Sequence, residues 1–275
     1  MKYISFAILS VVLAWGVHGQ NALLPAVVEG QQVVHHTAYS LGYSRQHGQP
    51  AWVAYMLTRQ HAQGDLPRKD SFKADPLVEG GSATPADYTR SGYDKGHLAP
   101  NADMSWDLTV QKECYYMSNM SPQTHAFNAG LWSRLEALVR DWAIALDSLY
   151  VVTGPVLSAA TIMDCHTVIR CDVDGVCDTM TDCVTLIETP NAMRTIGKNT
   201  TVTVPEYFYK VVYHPASHQA IALLVPHENK KGPLKAWAVT VDAVEAVTGL
   251  DFFPDLDDEL EDAVEGNICV PCWNW

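Results

Sequence analysis

One histidine and a few residues near it in the sequence form a group that could do chemistry. Lys95 precedes His97 by two positions, and Asn128 and Glu136 follow about 30 and 40 residues later. Imidazole titrates near physiological pH, so a neutral His97 can act as a general base that deprotonates water. Lys95 supplies positive charge, and the amide oxygen of Asn128 suits a hard ion such as Mg²⁺. Because hydrolysis of a phosphodiester needs a base, a cation and groups that place both, the sequence predicts such a site.

The residues after Asn128 predict the helix that positions this amide. Apolar residues recur at steps of three and four from Leu131 to about Leu146, which gives one buried stripe. At the start of this helix, a simple N-cap is the alternative explanation for Asn128. Glu136 lies about 12 Å further along the axis and ~80° around it, so both side chains cannot easily bind one ion directly. Because helical side chains lean toward the N-terminus, we expect Glu136 to reach a metal-bound water.

The remaining sequence predicts short strands and few helices. Short runs rich in β-branched and aromatic residues are bounded by Gly, Pro or His. These predicted strands span residues 33–43, 52–57, 149–152, 208–213, 220–225 and 236–241. A further helix is predicted at residues 243–247, capped by Asp242 and closed by Gly249. Strands outnumber helices without regular alternation, so we expect an α+β fold with a largely antiparallel mixed sheet and flanking helices.

The start of the chain has the composition of a signal peptide. Lys2 precedes an apolar run at residues 4–15, and small residues follow near Gly19. An N-terminal membrane anchor is the alternative, but a run of about 12 apolar residues is too short to span a bilayer. We therefore expect residues 1–19 to be removed from a secreted or periplasmic protein without a membrane segment. Residues 20–275 would then form a single domain. The sequence leaves open its oligomeric state and whether an inhibitor protein protects the producing cell.

Six of the seven cysteines fall into two clusters, which an exported protein is expected to oxidise. The seven are Cys114, Cys165, Cys171, Cys177, Cys183, Cys269 and Cys272. Residues 158–198, which have little apolar periodicity, are accordingly predicted to be a Cys-rich insertion held by disulfides. The acids at residues 172–178 lack the spacing of a helix-loop-helix calcium site and are expected to be solvated. A zinc site built from Cys269, Cys272 and two upstream cysteines is the alternative. Cys114 is expected to be a buried free thiol.

The net charge of −13 argues against nucleic acid as a partner, because phosphate binding is normally driven by a basic surface. The distribution of the charge weakens this objection. Eight acids and no Lys or Arg lie from Asp251 to Glu265. Basic residues instead lie within or just before the predicted site, at Arg59, Arg68, Lys69, Lys73, Arg90 and Lys95. Most of these belong to the predicted long loop at residues 60–91. We therefore expect the acidic C-terminal segment to be a solvated face remote from the site.

Several motifs, in one order along most of residues 33–250, resemble those of the DNA/RNA non-specific endonucleases of the ββα-metal (His-Me finger) class. This class includes secreted bacterial nucleases and mitochondrial endonuclease G. The motifs are Trp52-Val53-Ala54-Tyr55, Asp75-Pro76, Ala86-Asp87-Tyr88, Asp94-Lys95-Gly96-His97, residues 118–123, residues 127–136, Val152-Thr153-Gly154-Pro155 and, more loosely, residues 204–212. The resemblance implies a ββα-metal motif and an enzyme that cuts DNA and RNA with little sequence preference and leaves a 5′-phosphate.

The resemblance also implies a role for each site residue. His97 would be the general base, and Asn128 the single protein ligand of Mg²⁺, for which Mn²⁺ could substitute. Glu136 would hold a metal-bound water, and Asn119 would support the site. Arg68 matches a family arginine that contacts phosphate. Asp94 is expected, from its place in the motif, to orient the loop that carries His97.

One position departs from the family motif Asp-Arg-Gly-His, because Lys95 stands where the arginine would be. Lysine keeps the positive charge but loses the planar fork that grips two phosphate oxygens. A nucleic-acid-binding homologue with weakened catalysis is therefore the alternative function. A zinc hydrolase is disfavoured because the cysteines do not supply an open three-ligand site. A site that contacts only phosphate and one ion has no means of reading base sequence, in agreement with a non-specific enzyme.

Overall fold

The computed structural model describes residues 23–158, 161–171, 177–188 and 193–275 of the chain. The predicted leader, residues 1–19, and most of the acidic stretch at residues 172–178 lie outside the described residues. Within the described part, no helix combines the length and the apolar character needed to cross a membrane.

Seven strands form one large sheet, and six others pair in twos. In the part of the chain that the structure describes, the strands are β1 (Gln31–His35), β2 (Ser40–Ser44), β3 (Gln49–Thr58), β4 (Asp94–His97), β5 (Met120–Gln123), β6 (Ser148–Pro155), β7 (Thr161–Cys171), β8 (Cys177–Glu188), β9 (Thr195–Ile196), β10 (Val202–Thr203), β11 (Tyr207–His214), β12 (Gln219–Pro226) and β13 (Ala238–Val239). The large sheet has the order β1-β2-β3-β6-β11-β12-β13, and every neighbouring pair is antiparallel. The predicted α+β fold with a largely antiparallel sheet is confirmed.

Helices flank this sheet and connect its strands. They are α1 (Pro85–Tyr88), α2 (Asn101–Met104), α3 (Leu108–Glu113), α4, α5 (Val241–Thr248) and α6 (Asp258–Gly266). We use α4 for three consecutive segments, namely the turn His125–Phe127, the π-helical turn Asn128–Trp132 and the α-helix Ser133–Leu146. The predicted helix at residues 128–146 is therefore present, and it begins one turn earlier than predicted.

The central strands of the large sheet are buried on both faces. In β11, Phe208 and Val212 pack on one side with Trp132 of α4, while Tyr209 packs on the other side with Val244 of α5. Because successive side chains of a strand point to opposite faces, such strands appear in the sequence as nearly continuous apolar runs. The molecule is built in three layers, with α4 on one face of the sheet and α5 and α6 on the other.

Two predicted boundaries were wrong. Residues 33–43 form two strands rather than one, because the chain reverses between β1 and β2, where His36 N–H donates to the Tyr39 carbonyl at 2.8 Å. The predicted strand at residues 236–241 is reduced to β13, and Thr240 rather than Asp242 caps α5. The Thr240 hydroxyl accepts from Ala243 N at 3.2 Å. The predicted end of this helix at Gly249, which has a left-handed φ of 67°, is confirmed.

Within the Cys-rich insertion, β7 and β8 form an antiparallel hairpin, whose strands were not predicted from the sequence. Its register places Cys165 opposite Cys183 and Cys171 opposite Cys177. At the C-terminus Cys269 and Cys272 are joined as a disulfide, which removes both from the zinc site considered above. Cys114 is a buried free thiol, as predicted.

The acidic C-terminal segment follows the prediction only in part. Asp258 and Glu259 at the start of α6 are exposed, but Glu265 at its end is only 6% exposed. The prediction of a fully solvated face is therefore wrong for Glu265, because this residue lies where α6 packs against α5. The segment is nevertheless remote from α4, since the large sheet separates the two layers.

Candidate active site

A small hairpin and the helix after it bring the predicted site residues together. Strand β4 pairs with β5 so that His97 lies opposite Met120, and α4 begins directly after β5. The pairing is close at Gly96, where any Cβ would collide with the buried side chain of Gln123. Glycine is required there by the approach of the two strands. The strand-strand-helix order is the ββα unit that the sequence predicted.

Asn128 does not cap the helix. Thr124 is the N-cap residue, and its hydroxyl accepts from Phe127 N at 3.4 Å. Asn128 N–H donates to the Thr124 carbonyl at 2.9 Å, as expected of a residue inside a helix. The cap alternative for Asn128 is therefore wrong, because the helix starts one turn earlier. The side-chain amide is free to face the site, and it opens a π-helical turn, a feature common at functional sites.

Asp94 orients the Asn128 side chain. Its carboxylate accepts from Asn128 Nδ2 at 3.0 Å and contacts His125 Nδ1 at 2.9 Å. Since the amide nitrogen is occupied by this hydrogen bond, the amide oxygen is directed away from Asp94. The sequence predicted that Asp94 would orient the loop, whereas in the structure its side chain holds the neighbouring helix.

Two adjoining cavities contain six of the seven predicted site residues. The larger, of about 490 Å³, is lined by Arg68, Phe72, Tyr93, Asp94, Lys95, His125, Asn128, Ala129, Ser133 and Glu136. The smaller, of about 230 Å³, is lined by Arg68, His97, Pro100, Asn101, Ala102, Asn128, Ser133, Glu136 and Arg140. The two share Arg68, Asn128, Ser133 and Glu136. Amide, carboxylate and imidazole groups therefore border the same space as the cations Arg68, Lys95 and Arg140.

Asn119, the seventh predicted residue, lies behind the cavities and is fully buried. Its side chain accepts from Ala99 N and donates to the carbonyls of Ala99 and Cys114, each at 2.9 Å. These three bonds fasten the segment that follows His97. Asn119 therefore acts on the backbone around the site and does not face the cavities.

His97 is buried and neutral. Its side chain packs against Tyr115, with ring centroids 5.1 Å apart, and against Phe72 at 5.5 Å. Burial, and then the positive charge of Arg68, lowers the pKa of His97 to about 3. Its Nε2 is buried and has no hydrogen-bond partner among the described residues. The imidazole is therefore in the form that can accept a proton throughout the neutral pH range.

The two cations of the larger cavity, Arg68 and Lys95, differ in how they are held. Arg68 is exposed and pairs with Asp70, with 2.8 Å between Nε and Oδ1. Lys95 Nζ lies 4.8 Å from the centroid of the Phe72 ring, at a distance typical of a cation–π contact. Both side chains line the larger cavity and give it positive charge in a protein that is acidic overall. This local charge suits an anionic ligand such as a phosphate.

A third cation, Lys210, was missed from the sequence. It lies in β11, is 1% exposed, and places Nζ 3.2 Å from Thr153 Oγ1 and 4.4 Å from the centroid of the Trp132 ring. Burial lowers the pKa of Lys210, and the charge of Glu136 opposes this effect. Burial likewise raises the pKa of Glu136, and the charge of Lys210 opposes that rise. The signal in the sequence was a lysine in the middle of an otherwise apolar strand.

A buried ion pair completes this layer. Arg140, four residues after Glu136 on α4, donates to Asp103 Oδ1 at 2.9 Å, and the Tyr55 hydroxyl donates to Asp103 Oδ2 at 2.8 Å. Asp103 is 2% exposed, so its charge is supported by these bonds rather than by water. The pair fixes the part of α4 that carries Glu136.

The donors that face the cavities fit a hard, hydrated cation. They are the Asn128 amide oxygen, which the bond to Asp94 directs, and the Glu136 carboxylate. Oxygen donors with few protein ligands are typical of Mg²⁺ sites, in which the ion keeps several waters. Thiolates and clustered imidazoles, which would favour zinc, are not among the residues that line these cavities.

The fold contains the ββα unit expected from the resemblance to ββα-metal nucleases, and comparison with known proteins identifies the family. The chain belongs to the DNA/RNA non-specific endonuclease family, whose model matches residues 22–259. This family consists of metal-dependent nucleases.

Among its relatives is mitochondrial nuclease EXOG of Xenopus laevis, with 30% identity over 238 residues, which cover 83% of this chain and 59% of that protein. Human mitochondrial endonuclease G is 29% identical over 226 residues, which cover 80% of this chain and 68% of that protein. The chain thus spans less than two thirds of the length of the EXOG relatives it matches. A crystal structure of the EndoG/EndoGI complex contains a similar chain, with a TM-score of 0.68, 28% identity, and coverage of 88% of this chain and 92% of that one.

We predict that Lys210→Met leaves the protein folded and raises the pKa of Glu136. Removing one partner of a buried charge pair usually costs stability, but Glu136 can take up a proton and so avoid an unpaired buried charge. Because the ammonium favours the ionised carboxylate, its loss should raise the Glu136 pKa by about one unit. Carbon-13 NMR titration of the carboxyl in metal-free buffer, assigned with Glu136→Gln, measures this.

Thr153→Val removes a partner of Lys210 but keeps the charge, and should give a smaller shift. An unchanged titration in Lys210→Met would show that the two charges do not interact.

Proposed function

We propose that this protein is an endonuclease that hydrolyses phosphodiester bonds of DNA and RNA with little sequence preference, with Mg²⁺ as its cofactor. The observation that carries the proposal is the position of His97, Asn128 and Glu136 around adjoining cavities lined by the cations Arg68 and Lys95. Membership of the DNA/RNA non-specific endonuclease family supports it. The similar proteins named above are themselves called nucleases.

In this proposal His97 accepts a proton from the attacking water at Nε2, which has no hydrogen-bond partner among the described residues. The water oxygen bonds to phosphorus, and the bond from phosphorus to the 3′ oxygen breaks. The products are a 5′-phosphate and a 3′-hydroxyl, whose proton comes from solvent. Asn128 would hold Mg²⁺, or Mn²⁺ in its place, through its amide oxygen, and Glu136 would hold it through a water. The bound ion would supply charge that neutralises the developing negative charge on the phosphate.

Lys95 and Arg68 bind the phosphate groups in this proposal, and Asp94 and Asn119 act through the backbone and side chains they hold. No element of the described structure is assigned to reading base edges, so affinity comes from phosphate contacts. A protein inhibitor is a further class of partner. Support for it comes from the complex in which the similar EndoG chain was solved.

The test of this function is cleavage of a supercoiled plasmid and of a matched RNA by the purified chain. We expect nicked and then linear DNA, degraded RNA, loss of both activities in EDTA, and recovery with added Mg²⁺. Binding of both substrates without cleavage would instead support the nucleic-acid-binding homologue that Lys95 suggests.

His97→Ala should reduce kcat by about 10²–10⁴-fold, the usual effect of losing a general base, while substrate binding is retained. The measurement is single-turnover cleavage together with filter binding of the same duplex. His214→Ala is the control, because that histidine lines neither cavity and contacts Ser217. An His97→Ala enzyme within tenfold of the parent rate would remove His97 from the reaction.

Asn128→Ala should raise the Mg²⁺ concentration needed for half-maximal activity by about tenfold or more, because it removes the only direct protein ligand proposed. Its melting temperature should change little, since Asn128 is not the helix cap. Thr124→Ala is the matched control, which should lose about 1 kcal/mol of stability and keep its Mg²⁺ titration. The reverse pattern, an unchanged titration with a lower melting temperature, would contradict the ligand role.

Lys95→Arg should match or exceed the parent kcat/KM on one duplex at fixed salt, because a guanidinium can contact two phosphate oxygens. Lys95→Ala should lose about tenfold or more in kcat/KM, since charge beside the scissile phosphate is lost. Lys112→Ala, an exposed lysine that lines neither cavity, controls for net charge. Full activity of Lys95→Ala would assign the phosphate contact to another cation, with Arg68 the first to test.

We further propose that the protein is secreted or periplasmic, that residues 1–19 are removed, and that residues 20–275 form one oxidised domain. The leader composition supports export, and the disulfide between Cys269 and Cys272 and the opposed cysteines of β7 and β8 support oxidation. We predict that the mature chain recovered outside the cytoplasm begins near Gln20 and has one reactive thiol under denaturing conditions. Intact-mass analysis with thiol counting measures both. Six or seven free thiols, or stoichiometric zinc, would contradict the oxidised state.

A further inference from the structure

Three carboxylates converge where α5 meets α6, on the sheet face opposite α4. Asp242 lies in the first turn of α5, Glu245 follows it three residues later, and Glu265 lies near the end of α6. One oxygen from each of the three lies within 4.8 Å of the others. This spacing would allow one ion to contact all three groups.

Glu265 is the member of this cluster that lacks a partner. It is 6% exposed, and its Oε1 is buried without a hydrogen-bond partner among the described residues. Glu245 has only one of its oxygens occupied, because Oε1 accepts from Phe252 N at 2.7 Å. A buried carboxylate oxygen without a donor costs free energy, so the arrangement needs a further source of stabilisation.

No side chain nearby provides that stabilisation. The last 40 residues, 236–275, contain ten acids and no Lys, Arg or His. Within the described residues, no salt bridge joins any of the three carboxylates to a basic group. Burial, and then the charges of Glu245, Glu261 and Asp242, raises the pKa of Glu265 to about 9. Repulsion among these groups would be relieved either by a proton or by a bound cation.

We propose that Asp242, Glu245 and Glu265 form a binding site for a divalent cation, with a preference for Ca²⁺, that is separate from the active site. The donors are all carboxylate oxygens, which hard cations prefer. Ca²⁺ accepts several carboxylates in irregular geometry, whereas Mg²⁺ demands a near-octahedral shell and keeps most of its waters. An ion here would join α5 to α6 and stabilise the folded chain, because the unfolded chain does not hold the three groups together.

The test uses the full chain with Asn128→Ala, so that the proposed active-site ligand is absent, after removal of metals with EDTA. Calorimetric titration with CaCl₂ should show one site per chain, and millimolar Ca²⁺ should raise the melting temperature by about 3–5 °C. MgCl₂ at the same concentration should give a smaller rise. Neither readout involves cleavage, so the result does not depend on whether the chain is a nuclease.

Glu265→Gln in the same background should abolish both the binding heat and the melting shift. The amide resembles the protonated acid in shape, so the variant should fold. Asp242→Asn, at an exposed position, should weaken Ca²⁺ binding without a risk to the core. Glu259→Gln, the same chemical change at an exposed site on the same helix, should leave the Ca²⁺ response intact. A Ca²⁺ response that persists in Glu265→Gln, or is absent from the parent, would overturn the site, and an equal response to Mg²⁺ would overturn the preference for Ca²⁺.

Discussion

The hydrogen bond from Trp132 Nε1 to the carbonyl of His97, at 3.1 Å, joins the two parts of the site on which the rest depends. One part is the β4–β5 hairpin that carries the imidazole, and the other is α4, which carries Asn128 and Glu136. Trp132 is fully buried, and the ammonium of Lys210 lies against its ring. A buried indole N–H needs a hydrogen-bond partner, and this need restricts the positions that the hairpin can take. The distance between the proposed base and the proposed ion ligand is therefore set by packing.

Burial also sets the charge states of the site. His97 and Glu136 both lose solvation, which favours the neutral form of each side chain. Burial therefore lowers the pKa of His97 and raises the pKa of Glu136. For the imidazole this gives the basic form that proton abstraction requires. For the carboxylate of Glu136, burial disfavours ionisation. The positive charge of Lys210, which lies in the sheet beneath, opposes this effect. Lys210, a residue of the central sheet, thus influences the charge state of a carboxylate that lines both cavities.

The large sheet separates the cations of the site from the acidic helices α5 and α6. Lys95, Arg68 and Arg140 border the cavities on the α4 face, whereas the acids of α5 and α6 lie on the other face. Interactions between exposed charges are screened over about 10 Å at moderate ionic strength, so the net charge of −13 says little about the field inside the cavities. A protein that is acidic overall can therefore present a positively charged site to a phosphate backbone.

The sequence by itself determined the class of fold and the identity of the residues that border the cavities. Regular apolar spacing predicted α4 and the central strands, because periodicity follows directly from which face is buried. The resemblance of several motifs in one order, among them the motif around His97, predicted the family. Only the tertiary structure showed that Thr124 rather than Asn128 caps the helix, that Lys210 lies beneath Glu136, and that Glu265 is buried among other acids. The cap is a local contact, but Thr124 and Asn128 are both residue types that cap helices, so composition alone did not place the start of the helix. The other two facts depend on contacts between residues far apart in the chain, and no local pattern of residue types specifies which distant groups will meet.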